Sequence, residues 1–162
     1  MVDMVDVIAR AGVSKGACYY HFPSKHSLAA AIIDESNARI AAALGPIWES
    51  EAPALHLLIR ATFRFLALVQ ADDTVRIGYH LRQSLRQNRD PGPRQFGDTE
   101  VVFSGALQQA VRDGHLNADT NLTQTAYTLF TALVGCQLLA EPFGDDPLIR
   151  FAEVWELSLI HI

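Results

Sequence analysis

The chain has 162 residues, 49% of them apolar and 19% charged, which excludes a disordered or fibrous protein and suits one domain or a small module fused to a larger one. Its net charge of −5, taken as an average, argues against a nucleic-acid partner. The average hides an asymmetry, because residues 1–30 carry three basic residues against two acidic ones while residues 31–162 carry ten arginines against sixteen acids. Both lysines, Lys15 and Lys25, fall at the cationic end. No run of about 18 apolar residues marks a membrane span, and no cationic and apolar leader marks a signal peptide. The two cysteines, Cys18 and Cys136, are too far apart in the chain for a zinc ribbon or a disulfide scaffold. A cytoplasmic protein with no membrane partner is the expectation.

Helical spacing dominates the chain. Val5, Ile8, Ala9 and Ala11 predict a short helix over 3–11, ended by Gly12. Ser14 stands where the N-cap of a second, brief helix belongs, and that helix must stop before Pro23. Ser24 caps a third helix from about 25 to 44, ended by Gly45-Pro46. Beyond Pro53, Leu55, Leu58, Ile59, Thr62, Leu66 and Val69 fall on one stripe of an amphipathic helix that Asp72-Asp73-Thr74 breaks. Residues 74–88 resume the helix, with Val75, Tyr79 and Leu85 among six arginines scattered from Arg64 to Arg94. These arginines read as a solvated face, with Arg76 and Arg82 as the two to line a pocket or reach an acidic group. Residues 88–94 are a loop by composition. A helix over 98–112 closes at Gly114, with Leu116 as the apolar contact of a Schellman-type cap. Asp119-Thr120-Asn121 opens a helix to about Ala140 that is apolar nearly all round, and therefore central or at an interface. Residues 141–147 read as a loop, and a last helix begins at 148. No strand alternation of useful length occurs, so the fold class is all-α.

The informative segment is 7–25, VIARAGVSKGACYYHFPSK: a helix, a turn with Gly and a second helix, which is the helix-turn-helix layout. Ala9 is small where the helices would cross, and Val13 fills the corner between them. Ser14, Lys15 and Gly16 bring small or cationic groups to the start of the second helix, where a phosphate or base edge is approached. Tyr19, Tyr20 and His21 present hydrogen-bonding tips, with one tyrosine ring expected inward and the other outward. Lys25 stands at the next helix N-terminus, near a backbone phosphate. His21 and His26 are five apart, wrong for one helical face, and no acid–cysteine cluster joins them. No metal and no cofactor are expected, and Cys18 reads as core packing.

IARAGVSKGACYYHFPSKHSLAAAI resembles the helix-turn-helix signature of TetR-family transcriptional repressors, with a match over residues 4–33. The resemblance implies a recognition helix in the major groove of a double-stranded DNA operator. It places Ser14, Lys15, Gly16, Tyr19, Tyr20 and His21 on DNA, with Lys25 on phosphate. It also implies a homodimer whose two recognition helices address half-sites. Along residues 55–157, DDTVRIGYHLRQS, AVRDGHLNADTN, TLFTALVGCQLLAEP and FAEVWEL are similar in order and spacing to the γ-butyrolactone receptors of actinobacteria. Those receptors carry a pocket tryptophan just after a Phe at the start of the helix following an Arg-Pro loop. Here Phe96-Gly-Asp-Thr99 stands there, with Thr99 in the tryptophan position, which admits a related receptor for another small molecule.

The implied division is a helix-turn-helix DNA-binding domain over 1–44 and a helical effector-binding and dimerisation domain over 45–162. In the family a helix and a basic arm precede the motif, so the chain reads as cut before Met1 and again within its last helix, with 157–162 left open as non-native. Phe63, Leu66, Tyr79, Val102, Phe103, Leu107, Tyr127 and Phe130 are core residues of the types that also line a ligand cavity. Thr99, Thr131 and Gln137 are the polar groups expected to orient a ligand; Gln137 and Trp155 are candidate dimer contacts. The expected function is a repressor released from its operator by a small apolar effector, a γ-butyrolactone or a relative of it. No G-x-S-x-G, glycine-rich phosphate loop or metal cluster supports an enzyme. The alternative is a dimeric ligand-binding or interaction module that does not bind DNA.

Overall fold

A computed structural model describes residues 3–87 and 95–159, with the side chains of 85–87, 95–100, 141, 158 and 159 outside that description. The described residues form eight helices and no strand: α1 Met4–Ala11, α2 Lys15–His21, α3 Lys25–Trp48, α4 Ala54–Ala71, α5 Asp73–Gln87, α6 Gln95–Arg112, α7 Leu122–Phe143 and α8 Pro147–Leu159. The expected all-α class holds. The expected loop over 88–94 lies outside the described residues.

Local chemistry sets most boundaries. The Asp3 carboxylate accepts from the Met4 N–H, and the Asp6 side chain accepts from the Asp3 N–H, closing a capping box at α1. Gly12 ends α1 at φ 65°, a left-handed conformation that any Cβ would strain. The Ser14 hydroxyl accepts from the Ala17 N–H at 3.1 Å, and Ser24 and Ser27 cap α3 reciprocally. At Gly114 the His115 N–H reaches the Ala110 carbonyl and the Gly114 N–H the Val111 carbonyl, with Leu116 buried beyond. That is the Schellman closure expected from sequence.

Two helices run past prolines that were expected to stop them. α3 continues through Gly45-Pro46 to Trp48, and α7 through Pro142 to Phe143. Each proline sits in a last turn, where it forfeits only one helical hydrogen bond. The Glu49 N–H still reaches the Gly45 carbonyl at 3.0 Å, while Ile47 is buried and Trp48 packs on the core. After Pro142, Gly144 at φ 66° lets the Asp145 N–H close on the Ala140 carbonyl. α6 also begins at Gln95, three residues before its expected start. The expected domain division after residue 44 falls inside α3.

α4 is central, packing on α3, α5, α6 and α8. Its Leu55, Leu58 and Leu66 join Phe103, Leu107 and Ala110 of α6, Ala126, Leu129 and Leu133 of α7, and Phe151 and Trp155 of α8 in one apolar core. Among the described helices α4 is the one long and apolar enough to cross a membrane by length and composition; here one side of it is core, and Arg60 and Arg64 are exposed on the other. α3 lies against α4 and α5, so the helix that follows the helix-turn-helix is also built into the body.

Candidate nucleic-acid interface and effector cavity

α2 buries no residue. Its inward positions are Cys18 and Phe22, four apart and both half-buried, so the rings of Tyr19 and Tyr20 turn outward. Tyr20 is 84% exposed and its ring meets His21 edge-on, with centroids 5.1 Å apart. Tyr19 is 38% exposed, and the Lys15 Nζ stands 5.9 Å from its ring centroid. Ser14, Lys15, Gly16, Tyr19, Tyr20 and His21 thus lie on one short helix and its cap, and Lys25 opens the next. Ala9 and Val13, expected in the corner between the helices, are exposed, Val13 by 48%.

A cavity of about 450 Å³ lies between α3, α4, α5, α6 and α7. Leu58, Ala61, Thr62 and Phe65 of α4 line it at i, i+3, i+4 and i+7, and Ile40, Leu44 and Trp48 of α3 face them. Among the described lining residues Arg82 is the single charged one. Its Nη2 donates to the Asn37 Oδ1 of α3 at 2.6 Å. Burial pushes the Tyr79 hydroxyl above the ordinary phenol value, partly offset by a hydrogen bond with Gln83 and the nearby Arg82 charge. Thr62 donates to the Ile59 carbonyl of its own helix at 2.8 Å. Volume and lining are those of a small-molecule site: apolar walls with a few polar groups.

Of the ligand candidates, Tyr79, Val102, Phe103 and Phe130 line this cavity. Phe63, Leu66 and Leu107 do not: Leu66 and Leu107 are fully buried in the core, and the Phe63 ring packs on Phe151 at 5.8 Å. They sit on the other faces of α4 and α6, which are apolar on two sides. Tyr127 points away, 65% exposed on the outer face of α7. The Thr99 side chain lies outside the described residues. Thr131 is exposed, whereas Gln137 and Trp155 are buried, and among the described residues the Gln137 Oε1 and Trp155 Nε1 have no hydrogen-bond partner. Beside Gln137, Leu138 and Leu139 are exposed on α7.

Sequence reasoning missed the α3 wall and, with it, Asn37. It also missed how tightly α3 is tied to α5. Ser36 is fully buried and directs its hydroxyl at the Val75 carbonyl at 3.4 Å, while Asn37 holds Arg82. Arg39 pairs with Asp72 at 2.8 Å and with Glu35 at 2.8 Å. The Arg39 guanidinium, then the Val75 and Thr74 amides, hold the Asp72 carboxyl below the usual carboxylate range. Arg76, the other arginine singled out, pairs with Asp73 on its own helix.

Residues 2–32 match the family described as bacterial regulatory proteins, tetR family. The chain is 26% identical over 152 residues to the A-factor receptor protein of Streptomyces griseus. That alignment covers 93% of this chain and 52% of the receptor, so the chain spans about half the length of that relative. A solved γ-butyrolactone receptor, an ArpA-like protein, superposes with a TM-score of 0.80 at 27% identity, covering 97% of this chain and 75% of that one. A second structure, solved for the control of antibiotic production by bacterial hormones, is 31% identical with a TM-score of 0.79 and covers 98% and 85%. With a helix-turn-helix at the N-terminal end, a cavity in the helical body and these relatives, the chain belongs to the tetR family of bacterial regulatory proteins.

Proposed function

We propose that the chain is a repressor whose helix-turn-helix, within residues 1–44, reads a DNA operator, and whose body, over 45–162, binds a small effector that releases the DNA and dimerises. Likeness to an A-factor receptor and a γ-butyrolactone receptor supports a small, mostly apolar effector of that kind. One observation carries the reading: α3 continues directly from the helix-turn-helix and supplies one wall of the cavity. A ligand that prefers one placement of α3 then biases the placement of the DNA-reading residues, by no more than its difference in affinity for the two states. Ser14, Lys15, Gly16, Tyr19, Tyr20 and His21 are the proposed DNA contacts, with Lys25 on phosphate. Dimerisation is assigned to the outer apolar face of α7, where Tyr127 and Leu138 are exposed, with Gln137 and Trp155 behind it.

The test is selection of duplex DNA from a random pool, followed by anisotropy titration at fixed salt. Lys15→Ala and Tyr20→Ala are expected to weaken the selected duplex about tenfold each, with Lys15→Ala also lowering the salt slope by about 1. Failure to enrich any duplex, or affinity unchanged in both variants, sinks the DNA-reading assignment and favours a ligand-binding module without DNA.

A further inference from the structure

The cavity continues outward at Trp48 and Val102. These two residues, of α3 and α6, also line an outer groove of about 340 Å³, which Leu57 of α4 and Val101, Gly105 and Ala106 of α6 help to form. Val102 is 44% exposed although it lines the inner cavity, and Val101 beside it is 70% exposed, so the groove faces solvent. We infer that the groove is a subsite for the far end of the effector's hydrocarbon tail, which passes between Trp48 and Val102, and that Gly105 sets how long a tail is accepted. This rests on the reading of the cavity as the effector site and adds a residue that selects among effectors.

Continuity and chemistry name the occupant. Among the described residues lining the groove none is charged, whereas Asn37, Thr62, Tyr79 and Gln83 belong to the inner cavity. A ligand whose polar end is held inside therefore meets only apolar surface as it extends outward, and each methylene buried there tightens binding about three- to fourfold. Val101 and Val102 stand one turn from Gly105 and Ala106 on a single face of α6. Gly105 is the gap in that face, because a Cβ placed there meets nothing within 4 Å. The same room means that a larger side chain at 105 fills the groove without displacing the helix, and alanine or leucine is favoured over glycine in a helix interior. Trp48 lies at the end of α3, so a tail in the groove touches the helix that joins the body to the helix-turn-helix.

The experiment titrates γ-lactones with unbranched tails of four, six, eight and twelve carbons. Binding is read by calorimetry and by the fluorescence of Trp48, which lines both spaces. In the wild type, affinity is expected to rise along the series to the longest tail. Gly105→Leu is expected to leave the four-carbon ligand within a factor of two or three and to weaken the twelve-carbon ligand at least tenfold. Gly105→Ala, one methyl group, should weaken the longest ligand about two- to threefold and the shortest not at all. Thermal unfolding checks that each variant folds; if Gly105→Leu does not, the wild-type series and Gly105→Ala decide. Equal weakening of all four ligands by Gly105→Leu, or slower association of all four at unchanged affinity, makes the groove a wall or an entrance and overturns the inference. A change of oligomeric state in Gly105→Leu without a change in tail preference gives the groove to a second copy of the chain and overturns it too. Binding of the short lactones with no gain from longer tails also overturns it, yet leaves the cavity as an effector site. No heat and no Trp48 response with any lactone overturns both.

Discussion

α3 and α5 cross where Gly78 faces Ser36, and the contact allows no methyl group. A Cβ on residue 78 would stand 2.3 Å from the Ser36 Cβ, 2.6 Å from its Oγ and 3.3 Å from the Ile32 carbonyl. The first distance is about 1 Å short of ordinary contact. Ser36 is fully buried, and its Cβ is fixed to the α3 backbone, so no rotamer relieves the overlap. The two helices must part instead. Overpacking of this kind costs about 1–3 kcal/mol, and alanine in a helix interior returns about 1 kcal/mol over glycine. Gly78→Ala is therefore expected to lose up to about 2 kcal/mol, which for a chain of this size lowers the melting temperature by up to about 8 °C. Circular dichroism melts and urea titrations read it. In a Ser36→Gly background the main obstacle is gone and only the Ile32 carbonyl is close, so the same substitution should become neutral or stabilising. A Gly78→Ala protein that melts at or above the wild type refutes the close-crossing argument, as does an equal loss in both backgrounds.

Three further outcomes are expected. Asp72 is held below its unfolded pKa by Arg39 and two backbone amides, so its contribution is present above the unfolded carboxylate value and lost as pH falls through the folded one. Asp72→Asn should therefore melt below the wild type at neutral pH and converge with it in acid, and parallel curves at all pH values would contradict this. Asn37→Ala should leave effector binding measurable but shrink the ratio of DNA affinities without and with effector several-fold, because the bond joining Arg82 to α3 is gone; an unchanged ratio places the coupling elsewhere. Leu107→Ala empties a fully buried core position outside the cavity wall and should cost about 2–5 kcal/mol by denaturant titration, without altering effector selectivity.

What the sequence disclosed was what local chemistry decides. Gly12, Ser14, Ser24 and Gly114 mark ends because a cap is made by residues within a turn of one another, and each end falls within a residue of its expected place. Past Pro142, α7 adds only the exposed Phe143, but Pro46 misled because a helix is carried past a proline in its last turn by the burial of the next residues, Ile47 and Trp48, and burial is not local. The same reason limits the cavity. Phe103 and Leu107 are both buried apolar residues of α6, one on the cavity wall and one in the core, and only the packing of neighbouring helices separates them. Gly78 carried no signal at all, since its meaning depends on Ser36, 42 positions away on another helix.

Those non-local contacts also determine where motion can act. Ser36, Asn37 and Arg39 reach Val75, Arg82 and Asp72 from a single turn of α3, so the helix is gripped there. From Asn37 back to Lys25 is 12 helical positions, roughly 18 Å of rigid helix at 1.5 Å per residue. A tilt of about 5° at the grip carries Lys25 and the adjoining recognition helix about 1.5 Å, comparable with the whole tolerance of a hydrogen bond to a phosphate or base edge. In a dimer both recognition helices move, and their separation must match two half-sites at once. In the proposed repressor, a ligand therefore need not reach the proposed DNA contacts to release them. It needs only to favour a different arrangement around Arg82, the charged cavity residue bonded to the turn on which α3 is held.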